Sequence, residues 1–185
     1  MSTPQPRSSY ANGSVANMAR SMLVVAAIVA ALILIVPRVN GITQPPVDIE
    51  AAAVGVAQES GWPVSRARGL PDGWRATTVR YVRSTDGLMT WHAGYQTPDG
   101  NYVAVEQTKD ATSGWVAAET NRAAQVGEVR AAGRTWLKYE RSPKVQRSLV
   151  WRAPSGTELT TVVTGTGTFQ ELEAFAEHLQ PVTTG

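Results

Sequence analysis

Apolar residues along this chain form one uninterrupted block, which is followed by a long region of alternating apolar and polar positions. The block spans residues 21–37 (SMLVVAAIVAALILIVP) and carries no charge. As a helix it would be about 25 Å long, close to the thickness of a bilayer's apolar core. Arg20 and Arg38 flank it, and their long side chains can reach the lipid headgroups. The pattern predicts one transmembrane helix that holds the chain in the lipid bilayer through residues 21–37.

The alternative to an anchor is a cleaved signal peptide, whose apolar region has a similar length. Residues 36–41 (VPRVNG) lack the small residues of a cleavage site, which favours a retained signal anchor. Arg7 and Arg20 precede the helix, whereas only Arg38 follows it before Arg66. The positive-inside rule therefore predicts a single-pass plasma-membrane protein with a cytoplasmic N-terminus and an extracytoplasmic C-terminal domain.

Three further segments complete the predicted organisation. Residues 1–20 are rich in Ser, Pro, Gly and Asn without periodicity, which is typical of a disordered tail, here cytoplasmic. Residues 38–47 contain the sequence GITQPP and are predicted to be a linker. Residues 48–185 are long enough for one ordinary domain but not for two.

Alternation of apolar and polar residues dominates the predicted outer domain. One face of the segment 88–96 carries only apolar residues: Met89, Trp91, Ala93 and Tyr95. His92 lies on the opposite, solvent-facing side of this half-buried strand. A turn at residues 98–101 then leads into the next strand and makes a hairpin. The same signals predict strands at Arg75–Val82, Leu88–Gln96, Tyr102–Gln107, Glu128–Arg130, Arg134–Arg141, Arg147–Trp151 and Glu158–Thr164.

Helical signals occur at three places in the outer domain. Asp48 suits an N-cap and Gly61 a stop, which predicts a helix over residues 48–60. A shorter helix is predicted at residues 114–124, and a third near the C-terminus. The order of helices and hairpin-linked strands predicts an α+β fold, with a mainly antiparallel sheet of about six to seven strands. The helices are expected to pack on one face of this sheet, and the transmembrane helix precedes it.

The last predicted helix has the clearest boundaries and the clearest apolar face. Thr168 and Glu171 form an S/T-x-x-E capping box at its start. Leu172, Phe175 and Leu179 follow at i, i+3 and i+7, so they share one face of the helix. We expect this stripe to pack on the sheet.

The composition excludes several kinds of chemistry. The chain has no cysteine, so disulfides, thiolate metal sites and cysteine nucleophiles are excluded. Two histidines, His92 and His178, are too few for a histidine-rich metal site. Three of the 17 basic residues lie in the first 38 positions, which leaves 14 bases against 15 acids in the remainder. The outer domain is therefore nearly neutral, and nucleic acid is not an expected partner.

No catalytic or cofactor motif stands out. Gly165-Thr166-Gly167 resembles the start of a dinucleotide fingerprint, but Gln170 occupies the third glycine position and no strand follows. His92, a candidate base, has no serine nearby in the sequence. We therefore expect no enzyme activity and no catalytic, cofactor-binding or metal-binding residue. An enzyme that uses two carboxylates is the alternative, because any fold can bring two acids together.

Two groups of residues are candidates for a partner-binding surface. Of the six tryptophans, Trp62 and Trp115 lie near predicted loop or helix ends, where exposure is expected. The second group consists of basic residues in and around one predicted hairpin: Arg134, Lys138, Arg141, Lys144 and Arg147. The alternative is that the tryptophans belong to the core and that the basic residues form a solvated face.

Several motifs of this chain occur together in one known group of proteins. They are the N-terminal anchor, the Trp62-Pro63 pair, the Leu70-Pro71-Asp72-Gly73-Trp74 turn, and Gly165-Thr166-Gly167 ahead of a capped helix. In this combination the chain resembles, over most of its length, the actinobacterial membrane-anchored family called domain of unknown function 4245. The resemblance implies a Gram-positive envelope setting and an extracytoplasmic domain. It transfers no activity and no site residue.

These observations predict a binding or interaction module of the cell envelope, with another envelope protein as its partner. A tether raises the effective concentration of any partner in the same membrane. The alternative is a carrier or sensor of a small apolar or envelope-derived ligand, held on the concave face of a curved sheet.

Overall fold

A computed structural model describes residues 10–35, 47–141, 144–154 and 158–182 of the chain. These residues fall into two compact units, residues 1–44 and residues 45–185. The described residues contain four α-helices: α1 (Tyr10–Ile35), α2 (Ile49–Ser60), α3 (Ser113–Glu119) and α4 (Phe169–Glu177).

The first unit contains α1, a helix of 26 residues. The side chains from Asn17 to Ile33 are exposed along this helix. The helix begins at Tyr10, within the segment 1–20 for which the sequence predicts a disordered tail. No helix in the described part of the chain has both the length and the apolar character that a membrane span requires. The end of the predicted membrane span and the start of the predicted linker fall within residues 36–46, which lie outside the described residues.

The second unit is built on β-sheet. Its strands are β1 (Ser65–Ala67), β2 (Arg75–Arg83), β3 (Met89–Gln96), β4 (Tyr102–Thr108), β5 (Ala124–Ala131), β6 (Arg134–Arg141), β7 (Gln146–Trp151), β8 (Thr160–Gly165) and β9 (Leu179–Pro181). Seven of them form one antiparallel sheet in the order β2-β3-β4-β8-β7-β6-β5, and β1 pairs with β9 in a separate two-stranded sheet. The predicted α+β class and the mainly antiparallel sheet are confirmed.

The predicted strands of the large sheet lie within a few residues of the observed ones. β5 is longer than expected, because Gly127 and a β-bulge between Gln125 and Gly127 interrupt its apolar pattern. The strands β1 and β9 were not predicted. Each has three residues, which is too short for alternation to be recognised, and each depends on the other for its hydrogen bonds.

The helices α2 and α4 begin, and α2 ends, at the capping residues that the sequence predicts. The Asp48 side chain accepts a hydrogen bond from the Ala51 amide at 2.9 Å, and Gly61 ends α2 with a φ of +68°. Thr168 and Glu171 form the predicted capping box at the start of α4.

The apolar stripe of α4 is shorter than predicted. The helix ends at Glu177, and Leu179 is the first residue of β9, where it pairs with Ala67. The backbone of His178 accepts a hydrogen bond from the Arg68 amide at 2.9 Å, so the chain leaves the helix to join β1. Leu172 and Phe175 are fully buried as expected.

The two faces of the large sheet are covered unequally. Face A carries the main core, on which α2 and α4 pack, and its central side chains are Trp91, Val103, Val105, Trp136, Leu149 and Val163. Face B carries α3, whose Trp115 and Val116 pack on Val150 and Val162. The prediction that the helices share one face is therefore wrong for α3. Val150 and Val162 are apolar residues on the second face, and α3 removes them from water.

We predict that Phe175→Ala strongly destabilises the unit of residues 45–185, whereas Thr168→Ala has a mild effect. Phe175 is fully buried and its ring lies 5.0 Å from that of Tyr95 and 5.7 Å from that of Trp74. Removing such a ring costs about 3–5 kcal/mol, and removing a helix cap costs about 1 kcal/mol. Urea unfolding of the two variants measures both. Small and equal losses would mean that α4 is peripheral to the fold.

Candidate functional site

A chain of buried polar side chains runs across face B beside α3. His92 on β3 and Glu106 on β4 occupy directly opposed positions in the strand pairing. The two residues are 5% and 7% exposed, respectively, so both are buried. Nδ1 of His92 makes a short hydrogen bond with Oε1 of Glu106. The carboxylate therefore fixes the orientation of the imidazole ring.

Tyr102 extends this chain toward the surface. Its hydroxyl lies 3.0 Å from Nε2 of His92, so the imidazole is held at both nitrogens. To reach His92, the phenol ring lies across Gly94, where an added Cβ would come within 2.9 Å of two ring carbons. Glycine at position 94 is therefore required for the contact between Tyr102 and His92.

Glu119 and Arg80 complete the group, which we call the polar cluster (Arg80, His92, Tyr102, Glu106 and Glu119). Glu119 is the last residue of α3 and is half-buried. Burial raises its pKa to about 7, the negative charge of Glu106 adds to the rise, and Arg80 opposes it. Arg80 lies opposite His92 on β2 and is exposed. Within the described residues the Glu119 carboxyl has no hydrogen-bond or ion-pair partner.

The electrostatics of Tyr102 limit the chemistry of the polar cluster. Burial, with a further contribution from Glu106, raises the pKa of Tyr102 to about 12. The phenol is therefore protonated at neutral pH. An activated nucleophile or base requires a pKa closer to the working pH, a condition that Tyr102 does not meet and that Glu119, with a pKa of about 7, does meet.

Sequence reasoning placed His92 on an exposed face, and this expectation is wrong. The signal that would have found the site was present in the hairpin. The turn after Gln96 sets Gln96 opposite Tyr102, and the antiparallel register then brings His92 opposite Glu106. The error came from assuming that only one face of the sheet is covered.

The described residues contain no group of three or more side chains suited to hold a metal ion. The glycines of Gly165-Thr166-Gly167 have a structural explanation. A Cβ at Gly165 would collide with the carbonyl oxygen of Tyr102, and one at Gly167 would lie 3.2 Å from atoms of Leu172 and Val103. These glycines permit the close approach of β8 to β4 and of the loop to α4.

A family model for a protein of unknown function, DUF4245, matches residues 11–179. The chain belongs to the DUF4245 family. The resemblance noted from the sequence motifs is thereby confirmed, while an actinobacterial origin stays a prediction. No curated protein matches the chain significantly.

Two solved structures are similar to part of this DUF4245 protein. One is the complex of Pseudomonas aeruginosa MucA and MucB, with 15% identity, a TM-score of 0.42, and coverage of 66% of this chain and 36% of that chain. The other is MucB in complex with MucA(peri), with 17% identity, a TM-score of 0.41, and coverage of 65% and 38%. The chain thus spans little more than a third of these structures' own length.

The two tryptophans predicted to be exposed lie elsewhere in the DUF4245 domain. Trp115 is fully buried under α3, and its Nε1 donates a hydrogen bond to Oγ1 of Thr90 at 2.9 Å. Its predicted exposure is wrong, because its ring fills the space between α3 and face B. Trp62 is half-buried on the other side of the sheet, and its ring centroid lies 5.7 Å from that of Tyr81 in an edge-to-face arrangement.

The five basic residues of the predicted surface do not form one group, although Lys138 and Arg147 both lie over the ring of Phe169. Arg134, Lys138 and Arg147 lie on face A, in ion pairs with Glu158, Glu173 and Glu140 at 3.4, 3.5 and 3.0 Å. Arg134 also lies over the ring of Trp151 at 3.8 Å, and Lys138 over that of Phe169 at 4.1 Å. Arg141 lies on face B, and Lys144 is exposed in the turn before β7. Three of these basic side chains are therefore already paired with acids or aromatic rings of the same domain.

A pocket of about 230 Å³ opens on face A, between the large sheet, α4 and the β1–β9 pair. Trp136, Trp151 and Leu159 supply apolar walls, and Arg134 and Glu158 lie at its lining as well. Its polar floor includes Gln107, whose amide is hydrogen-bonded to Ser65 and Thr161. The pocket is smaller than the roughly 300–1,000 Å³ of most small-molecule sites.

We predict that Glu119→Gln alters the pH dependence of stability in one direction. The folded-state pKa of about 7 lies above the unfolded value near 4.5, so the native state binds the proton more tightly. The contribution of Glu119 to the free energy of unfolding is fully present below pH 4.5 and is lost as the pH rises from there through 7. The glutamine variant lacks this loss, so it should exceed the parent protein by about 1–2 kcal/mol at pH 8, after allowance for solvent screening.

The measurement is the urea midpoint of both proteins from pH 4 to pH 8. The two curves should coincide near pH 4, separate progressively between pH 4.5 and pH 7, and run parallel above pH 7. Glu173→Gln, an acid on face A beyond the polar cluster, serves as the matched control. A constant difference between Glu119→Gln and the parent over the whole range would refute the raised pKa.

Proposed function

We propose that the unit of residues 45–185 is a non-enzymatic binding module of the cell envelope, which holds a protein partner on face B at the polar cluster. The observation that carries this proposal is the Glu119 carboxyl, which is half-buried, close enough to Glu106 to be affected by its charge, and without a partner in the described residues. A cationic group from another protein would supply the missing partner.

The polar cluster is organised before any partner arrives. His92 and Glu106 are buried and hydrogen-bonded to each other, and Tyr102 is held against Nε2 of His92. Binding to such a site requires little ordering of its side chains, which preserves affinity. Tyr102 and Glu119 are half-buried and lie at the boundary with solvent, so both are accessible to a partner.

The chemistry of the cluster supports a lysine or arginine side chain as the group that is recognised. Glu119 is protonated for much of the time near pH 7 because burial and Glu106 disfavour its charge. A cation at this position would stabilise the ionised form and release a proton. Hydrogen bonds between a carboxylate and a cation are roughly twice as strong as neutral ones. The exposed Arg80 beside the site would disfavour a partner that carries additional positive charge.

The geometry of His92 suits a structural role. Both of its ring nitrogens have partners within the domain, Glu106 at Nδ1 and Tyr102 at Nε2, and the pKa of Tyr102, near 12, keeps its hydroxyl protonated. The carrier alternative has the face A pocket in its favour, but about 230 Å³ accommodates only a small fragment of a lipid-like ligand.

We predict that a photo-crosslinking residue at Asn121 captures one reproducible protein partner in intact cells. Asn121 is exposed two residues beyond Glu119, and its amide reaches Gln146 on face B. Introducing Glu119→Gln into the same protein should lower the yield about tenfold, because a hydrogen bond to a charged group is lost. Mass spectrometry of the adduct identifies the partner.

Two controls make this experiment decisive. A crosslinker at Asp99, at the exposed tip of the β3–β4 hairpin, should give no such adduct, and Glu173→Gln should leave the Asn121 adduct unchanged. Absence of an adduct from Asn121, or equal yields with and without Glu119→Gln, would contradict the proposal.

We further propose that residues 21–37 anchor the chain in the plasma membrane, with the domain outside. The support comes from the sequence, because this stretch is uncharged and arginines are more frequent before it than immediately after it. Alkaline phosphatase fused after Gly185 should be active, and a fluorescent protein that matures only in the cytoplasm should stay dark. A bright reporter with inactive phosphatase would reverse the topology, and a soluble fusion after cell lysis would refute the anchor.

A further inference from the structure

The seven-stranded sheet has two edge strands, β2 and β5. An edge strand has backbone amide and carbonyl groups on its outer side that no neighbouring strand satisfies, so it can pair with another chain. The side chains on each edge decide whether such pairing is favoured.

The β2 edge disfavours pairing with a second copy of itself. Its exposed charged residues are all basic: Arg75, Arg80 and Arg83. In an antiparallel pair of two β2 strands, arginines would therefore lie near arginines.

The β5 edge has the opposite character. Glu128 and Arg130 are exposed on the same face of the strand, and the ion pairs of the described residues include neither of them. Val126, at the bulge of the same strand, is 53% exposed. The strand thus carries one acid, one base and one exposed valine along an open edge.

The turn after β5 determines which backbone groups face outward. The β5–β6 hairpin has a two-residue turn, Ala132 and Gly133, both with positive φ. Ala131 and Arg134 flank the turn and form the closing hydrogen-bonded pair. Hydrogen bonding alternates along an antiparallel strand, so the amide and carbonyl groups of residues 128 and 130 point away from β6.

Only residues with outward backbone groups can form hydrogen-bonded pairs with another strand. For two antiparallel β5 strands this leaves three central registers: 128 opposite 128, 130 opposite 130, or 128 opposite 130. The first two place like charges against each other, and the third places each Glu128 against an Arg130. The strand is therefore complementary to itself in one register.

We propose that β5 pairs antiparallel with β5 of a second copy of this chain, about a two-fold axis at Val129. Glu128 and Arg130 of each copy form two intermolecular ion pairs on face B. Gly127 lies opposite Ala131, where small side chains allow close approach, and the bulge at Val126 limits the pairing to residues 127–131. The two sheets become one continuous sheet. The contact is short, so we expect a dimer that dissociates on dilution.

The cysteine-free sequence makes this register directly testable. Val129 is at the two-fold axis in a non-hydrogen-bonded pair, where the Cα atoms of opposed residues are about 4.5 Å apart and a disulfide can form. Val129→Cys in the full chain, in membranes treated with a mild oxidant, should give a covalent dimer. Val82→Cys on the β2 edge, where Val82 is 49% exposed, is the matched control and should give none.

Charge reversal tests the ion pairs in the same background. Adding Glu128→Arg to Val129→Cys should reduce the dimer about fivefold, because arginines then oppose arginines in both pairs. Adding Glu128→Arg together with Arg130→Glu should restore it, since each pair is then an acid and a base again. Sedimentation of the same charge variants without the cysteine provides a second readout if Val129→Cys proves unstable.

Three outcomes would overturn the proposal. They are a Val129→Cys dimer no stronger than that of Val82→Cys, a Glu128→Arg variant that dimerises as well as the parent, and a double reversal that fails to recover. A disulfide between Val129→Cys and a different protein, with no homodimer, would assign the edge to another partner and would also count against it. None of these outcomes depends on the polar cluster, so this proposal and the proposed binding function can fail separately.

Discussion

Unequal coverage of a single antiparallel sheet is the constraint on which the rest of the domain depends. Face A is covered by α2 and α4 and can be apolar throughout its centre. Face B is covered by α3, a helix of seven residues, which suffices for an apolar group around Val150 and Val162. The neighbouring positions on face B are polar, and they are buried as well. Buried polar groups are costly unless they bond to one another.

The polar cluster satisfies this requirement almost completely. Glu106, His92 and Tyr102 form one hydrogen-bonded series, and Gly94 makes room for the tyrosine ring. Glu119 is the exception. Its carboxyl, at the end of α3, is close enough to Glu106 to be affected by its charge and has no partner of its own in the described residues. Natural sequences depart from local optimality mainly at functional sites, which is why the proposed function rests on this residue.

The sequence predicts those parts of the fold that depend on local signals, namely the periodicity of apolar side chains and the capping residues at helix ends. The strands of the large sheet, the capping box at Thr168 and the burial of Phe175 depend on such local signals, and the structure contains all of them. The missed features depend on contacts between distant segments. Strand β9 forms only because β1 is available to pair with it. Trp115 is buried because α3 covers face B, and a helix pattern alone does not tell which face of a sheet it will cover.

The candidate site was missed for the same reason, although its register could be derived from the β3–β4 hairpin. Pairing His92 with Glu106 requires only the position of the turn. Recognising that both are buried requires knowledge of α3. The ion pairs of the predicted basic surface also depend on the fold. Arg134, Lys138 and Arg147 each pair with an acid that is not their neighbour in the sequence. Single charges in a sequence carry little information about their partners.

Burial raises the pKa of the Glu119 carboxyl, and the negative charge of Glu106 adds to the rise. The most direct test is a carbon-detected NMR titration of the Glu119 side-chain carboxyl in the unit of residues 45–185, with the resonance assigned by comparison with Glu119→Gln. The account predicts a midpoint of about 7 in the folded protein, and a lower midpoint in the Glu106→Gln variant, where the neighbouring charge is absent. A midpoint near 4.5 in the parent protein, unchanged in the variant, would contradict it.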